Sequence, residues 1–190
     1  MLSILGVDVF VDHTIETAPE AARRTLAATE KRFGYLPAAV ARMAEAPLLL
    51  DGFLKLSAMF ESTSLDPLAR ETLVMTMATR NGCHLCVAMH TASLQRLDAD
   101  PALVTALRED KPLPDARLQA VRDFTLTVLA TAGEVPDEEL RAFTSAGFTT
   151  QQALEVVLGI GAYTMSTLAN RLTRAPLDEP MTPFAWAPAT

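Results

Sequence analysis

Apolar residues recur along this chain at spacings of three and four, and no segment alternates for the length of a strand. The pattern predicts an all-α fold with helices at about residues 18–33, 37–46, 48–61, 67–80, 83–97, 101–109, 115–131, 137–146 and 150–173. Prolines and capping residues mark the joints. Pro37, Pro67 and Pro101 stand near helix starts, and Leu65-Asp66-Pro67 reads as an N-cap followed by proline at the first helical position. Asn81-Gly82 is a stop-and-turn signal. Gly147 suits a C-terminal cap ahead of Thr149, and Gln152, three residues on, completes a capping box.

The segment from Ala153 to Leu172 has little polar face until its C-terminal third, so it is expected to be surrounded, as a central core helix or at a subunit interface. Gly159 and Gly161 would let another backbone approach it, at an intrinsic helix cost of about 1 kcal/mol each. The organisation expected is a single domain over residues 1–190 with its core at about 18–174. Residues 1–16 form an N-terminal arm, and residues 175–190, with Pro176, Pro180, Pro183 and Pro188, a docked or mobile tail.

A net charge of −7 argues against nucleic acid or an anionic membrane surface as a partner. No apolar run reaches membrane-spanning length. Residues 1–11 are apolar but carry Asp8 and no early Lys or Arg, which argues against a secretory signal and for a cytoplasmic protein. With 49% hydrophobic residues there is more apolar surface than a small monomer readily hides, so a homo-oligomer is expected. The methionines read mostly as core filler, with Met75 and Met89 as candidates to line a pocket. Tyr163 and Trp186 read as packing residues, and His13 as a solvated surface histidine.

The candidate chemistry is concentrated in one place. The chain has two cysteines, both in Cys83-His84-Leu85-Cys86, and His90 follows four residues later. On a helix these positions stand at i, i+3 and i+7, so both thiols and the imidazole share a face, from which His84 points away. Cys83 falls in the first helical turn, where free N–H groups and the positive end of the dipole favour a thiolate. Lowering a thiol pKa by about two units raises its ionised fraction roughly 25-fold, and the loss of nucleophilicity takes back about eightfold. The net gain is only about threefold, so a proton donor for the leaving group matters more, and His90 is the candidate. If the helices on either side of Asn81-Gly82 form a hairpin, Glu71 lies about 16 Å from the turn and His90 about 12 Å. Glu71 is then either a solvent-facing charge or the partner that orients the histidine.

The run Arg70-Glu71, eleven intervening residues, Cys83-x-x-Cys86, three residues, His90-Thr91 resembles the core motif of the alkyl hydroperoxidase D-like (AhpD-like) group of the carboxymuconolactone decarboxylase superfamily. The resemblance extends through Asp115-Ala116-Arg117-Leu118, Asp137-Glu138-Glu139-Leu140 and Ala153 to Leu158, and on to Ala175-Pro176-Leu177-Asp178 and Trp186, covering roughly residues 30 to 187. It implies an AhpD-like helical fold with the dithiol on a helix hairpin, assembled as trimers or hexamers. It also implies Cys86 as the thiol that attacks peroxide, Cys83 as the resolving thiol, and His90 with Glu71 as a water-assisted proton relay. The dipole argument favours the other sulfur. Two positions depart from the pattern. The best-characterised members have histidine directly before the second cysteine, where this chain has Leu85, and many close relatives read Asn-His where it has Asn170-Arg171.

The leading expectation is a thiol-dependent hydroperoxidase or disulfide reductase that uses no bound cofactor and is recycled by an external thiol or dithiol reductant protein. Two alternatives stand beside it: a lactone-type decarboxylase, as the superfamily name records, although members of that type typically lack the cysteine pair, or a non-enzyme binding Zn²⁺ through Cys83, Cys86 and His90 with Glu71 as a further candidate ligand.

Overall fold

The structure, a computed structural model, describes residues 9–188. Every helix expected from the periodicity forms, with ends displaced by no more than three residues: α1 Glu20–Phe33, α2 Ala38–Met43, α3 Pro47–Glu61, α4 Pro67–Arg80, α5 His84–Arg96, α6 Pro101–Arg108, α7 Ala116–Ala130, α8 Asp137–Ser145 and α9 Thr150–Leu172. A short 3-10 helix, Glu179–Phe184, follows, and the described residues contain no strand. The starts are chemically specified. Asp66, Asp100 and Asp115 accept backbone N–H groups of α4, α6 and α7, and Thr149 with Gln152 forms the expected reciprocal capping box on α9.

Helix α4 is the axis of the molecule. Every residue from Thr72 to Ala78 is buried, and the helix packs on α5, α6, α7 and α9. A stretch with no solvent face has no room for an unpaired charge. Glu71 precedes that stretch, with its side chain 18% exposed at the margin of the core.

Helix α9 departs from expectation. Its inner face packs on α3 and α4, but Leu154 and Leu172 are 73% and 70% exposed, with Val157, Gly161 and Leu168 exposed between them. The chain therefore covers only one side of this helix. The two glycines also part company. A Cβ on Gly159 would lie 2.5 Å from Phe60 Cε2 and 3.0 Å from Leu73 Cδ1, so it is an aromatic ring, not another backbone, that needs the space. A Cβ on Gly161 would meet nothing within 4 Å. Gly159→Ala is accordingly expected to destabilise the fold by about 1–3 kcal/mol through overpacking. Gly161→Ala should stabilise it by up to about 1 kcal/mol through helix propensity. Urea midpoints of the two variants check the contrast.

Two further expectations are corrected. His13 is not solvated: its side chain is 10% exposed and its Nε2 lies 2.7 Å from Glu45 Oε2, a pairing across 32 residues of sequence. Met59 is not core filler, being 58% exposed, whereas Met43, Met75 and Met77 are fully buried. The described part of the N-terminal arm is tied down by Asp12, whose Oδ1 accepts from Arg42 Nε at 2.6 Å. The tail is docked, with Trp186 Nε1 donating to the Arg108 carbonyl at 2.8 Å and Arg108 donating to the Phe184 and Ala185 carbonyls. Residues 1–8 lie outside the described chain.

Candidate active site

The turn between α4 and α5 sets the position of the thiols. Gly82 takes φ +62°, a left-handed conformation that glycine adopts without a Cβ penalty, and the Cys83 N–H then donates to the Ala78 carbonyl at 2.9 Å. Helix α9 clamps the turn from outside. Asn81 Nδ2 donates to Thr167 Oγ1 at 2.8 Å, and Arg171 donates to the Asn81 carbonyl.

Cys83 is not in the first turn of α5, as the sequence suggested, but is its N-cap, with φ −86° and ψ 91°. Its sulfur takes the place of a capping oxygen and accepts from the Cys86 N–H at 3.5 Å. The cap folds its side chain back over the first turn, so both sulfurs still meet. Sγ of Cys83 and Sγ of Cys86 are 2.8 Å apart, and both residues are buried as free thiols. A disulfide needs about 2.05 Å, so closing the bond takes less than an ångström of movement.

One turn further along α5, His90 Nδ1 lies 2.8 Å from Glu71 Oε2, with side chains 16% and 18% exposed. The hairpin estimate thus meets its geometric test, and Glu71 is the partner of the histidine, not a solvent-facing charge. Tyr163 of α9 packs edge-on against the His90 ring with centroids 5.3 Å apart, and the Tyr163 ring in turn packs edge-on against Phe53 and Phe60. The imidazole is thereby held on one side by a carboxylate and on the other by an aromatic wall. Burial pushes the Tyr163 phenol up to about 12, against the hydrogen bond it makes with Ser57. It remains a protonated hydroxyl at neutral pH.

The two sulfurs are electrostatically unequal. The Cys83 thiol is lowered to about 7, chiefly by the hydrogen bond from Cys86, against desolvation, and further by backbone N–H groups of Cys86 and Leu85 and the Asn170 amide. Cys86 is pushed well above the ordinary thiol range, first by giving that hydrogen bond to Cys83, then by burial and by the Cys83 charge. Such a pair titrates as a unit. Ionisation of the pair is favoured at Cys83, with the Cys86 thiol donating a hydrogen bond to it.

The structure brings Cys83 and Cys86 together at the turn of the α4–α5 hairpin and Glu71 and His90 together further along it, and it leaves His84 exposed outside the site. Met75 is fully buried and Met89 partly buried against the core. Sequence reasoning missed two residues. Asn170 Nδ2 donates to Cys86 Sγ at 3.4 Å, and Ser166 Oγ lies 4.0 Å from the same sulfur. With Tyr163 they stand at i, i+3 and i+7 on α9 and are buried. Polar side chains one turn apart on the inner face of an apolar helix were the available signal.

Among the described residues no group of three or more His, Cys, Asp and Glu side chains is arranged to hold a metal ion, so the four candidate zinc ligands do not converge. No described helix is long and apolar enough to cross a membrane.

No protein-family model and no curated protein matches the sequence. Solved structures do. A crystal structure of an alkylhydroperoxidase AhpD core, an uncharacterized peroxidase-related protein from Ralstonia eutropha JMP134, matches with a TM-score of 0.78 at 19% identity, covering 90% of this chain and 93% of that one. An uncharacterized peroxidase-related protein from Silicibacter sp. TM1040 matches at 0.74 and 19% identity, covering 95% and 97%. A cysteine-to-alanine variant of the debrominase Bmp8, in complex with 2,3,4-tribromopyrrole, matches at 0.72 and 13% identity, covering 93% and 95%. The fold is AhpD-like.

Proposed function

We propose that this chain is a thiol-dependent hydroperoxidase of the AhpD-like type. The observation that carries the reading is the pair of buried free thiols 2.8 Å apart, with a glutamate-paired histidine one turn along the same helix. As Cys86 attacks, its proton passes to Cys83, and the Cys86 thiolate takes the terminal oxygen of ROOH. The O–O bond breaks, leaving Cys86 sulfenic acid and an alkoxide. The alkoxide takes a proton relayed through water from His90, whose charge Glu71 stabilises. Cys83 then attacks the Cys86 sulfur, forming the disulfide and releasing water. An external thiol or dithiol protein restores both thiols, oxidised in its turn to a disulfide. No bound organic cofactor enters this cycle.

The direct test is steady-state consumption of an alkyl hydroperoxide with dithiothreitol as reductant. The wild-type chain is expected to turn over at rates well above either cysteine-to-serine variant. Equal rates for all three would contradict the assignment. The reduced protein should also show thiolate absorbance rising through about pH 7, amounting to one thiolate per chain, because the shared proton keeps the second thiol neutral. Two thiolates titrating together near pH 8.5 would show that the sulfurs do not share it.

The reading includes a homo-oligomer, supported by the uncovered apolar stripe of α9, from Leu154 through Val157, Gly161 and Leu168 to Leu172. Leu168→Glu places a charge in that stripe while touching none of the site residues. It is expected to lower the assembly state measured by light scattering without unfolding the chain. An unchanged mass would remove α9 from the interface.

A further inference from the structure

The two sulfurs are served by different parts of the fold. Cys83, at the N-cap, has backbone N–H donors from the first turn of α5. Cys86, one turn in, has its own backbone N–H directed to Cys83. The donors that reach its sulfur are two side chains of α9: Asn170 Nδ2 at 3.4 Å and Ser166 Oγ at 4.0 Å. Asn170 is 4% exposed, and among the described residues its Oδ1 meets no hydrogen-bond partner. An orphaned acceptor is costly to bury, so an asparagine serving only to fill space is a poor account of this position. The amide is oriented for its N–H, and the N–H is on sulfur.

We infer that Asn170, with Ser166 as a weaker second donor, is the thiolate-stabilising group of Cys86, the feature that lets negative charge leave the N-cap sulfur and form on the sulfur nearer His90. This deepens the proposed function and rests on its reading of Cys86 as the attacking thiol. The two sulfurs lie 2.8 Å apart, and passing the Cys86 proton to Cys83 over that distance creates a Cys86 thiolate with no backbone donor. Without α9 that charge would be buried and uncompensated. Asn170 also contributes to lowering Cys83, so the same amide faces both ends of the proton transfer. Removing it must cost Cys86 more, because Cys83 keeps its backbone donors. The departure from Asn-His therefore leaves the asparagine on the reacting sulfur, while Arg171 is outside on the Asn81 carbonyl.

The test isolates each sulfur before titrating it. In the full chain carrying Cys83→Ser, Cys86 ionises alone, and its thiolate absorbance near 240 nm is followed against pH with and without Asn170→Leu, which is close in shape and lacks the amide. The Cys86 pKa is expected to rise by about one pH unit or more, the size of a lost hydrogen bond to a charged group. In the Cys86→Ser background the same substitution should move Cys83 by less than half as much. Ser166→Ala should raise Cys86 in the same direction by a smaller amount. Should Asn170→Leu lose native helicity, Asn170→Ala reads the same quantity. An unchanged Cys86 pKa, or equal shifts on both sulfurs, overturns the inference. If the shift appears but the Cys83→Ser chain consumes no hydroperoxide, the role of Asn170 stands and the peroxidase reading of Cys86 falls.

Discussion

Replacing His90 by phenylalanine, or Glu71 by glutamine, is expected to slow hydroperoxide turnover by about 10²-fold or more while leaving both cysteines alkylatable. The magnitude follows from what thiolate formation cannot supply. A thiol pKa lowered by two units yields a net advantage of only about threefold once the loss of nucleophilicity is counted. General acid catalysis at a leaving alkoxide is worth about 10²–10⁴-fold. In the proposed cycle His90 does that work, and Glu71, 2.8 Å from its Nδ1, fixes which ring nitrogen is free. Phenylalanine keeps a ring for the edge-on packing against Tyr163 while removing the proton chemistry and the hydrogen bond to Glu71. Steady-state turnover with alkylation as a control separates the two effects. Wild-type turnover in both variants would return Glu71 and His90 to a structural role.

The second large effect concerns the order of attack. At rest ionisation is favoured at Cys83, because the Cys86 thiol and the backbone N–H groups of the first helical turn donate hydrogen bonds to it. The resemblance assigns the attack to Cys86. These statements agree if the resting thiolate and the attacking thiolate differ. Changing Cys83 to serine removes the largest cause holding Cys86 protonated, so Cys86 should ionise more readily in that variant. Cys83→Ser is expected to consume about one equivalent of hydroperoxide in a fast burst and stop at a sulfenate trappable by dimedone, since no thiol remains to resolve it. Cys86→Ser should react far more slowly, although Cys83 is the more acidic thiol of the intact pair. The chain has no third cysteine to substitute. A fast burst in Cys86→Ser and none in Cys83→Ser would show that the N-cap sulfur attacks and that the assignment implied by the resemblance is mistaken.

Much of this was legible in the sequence because its signals are local. Helix ends followed from Asp66-Pro67, Asn81-Gly82 and the Thr149–Gln152 box, each of which satisfies backbone groups within a few residues of itself. The hairpin estimate needed only the rise per residue of two helices and one turn, and it brought Glu71 beside His90. What escaped was tertiary. The His13–Glu45 pair and the Asn170 contact with Cys86 join residues 32 and 84 positions apart, and no periodicity encodes such a pairing. Helix α9 was read as surrounded because an apolar stripe looks the same in one sequence whether its own chain or another molecule covers it. The N-cap role of Cys83 was missed by a single residue, since sulfur is an uncommon cap and the turn at Gly82 was expected to lead straight into the helix.

The central claim is that hydroperoxide oxidises these two thiols as one unit. One measurement addresses it most directly: free thiols and intact mass of the reduced chain before and after one equivalent of an alkyl hydroperoxide. The expected result is loss of both thiols together, a fall in mass of about two units and no covalent dimer. Stable sulfinate on one cysteine beside a free thiol on the other, or two thiols untouched, would contradict it.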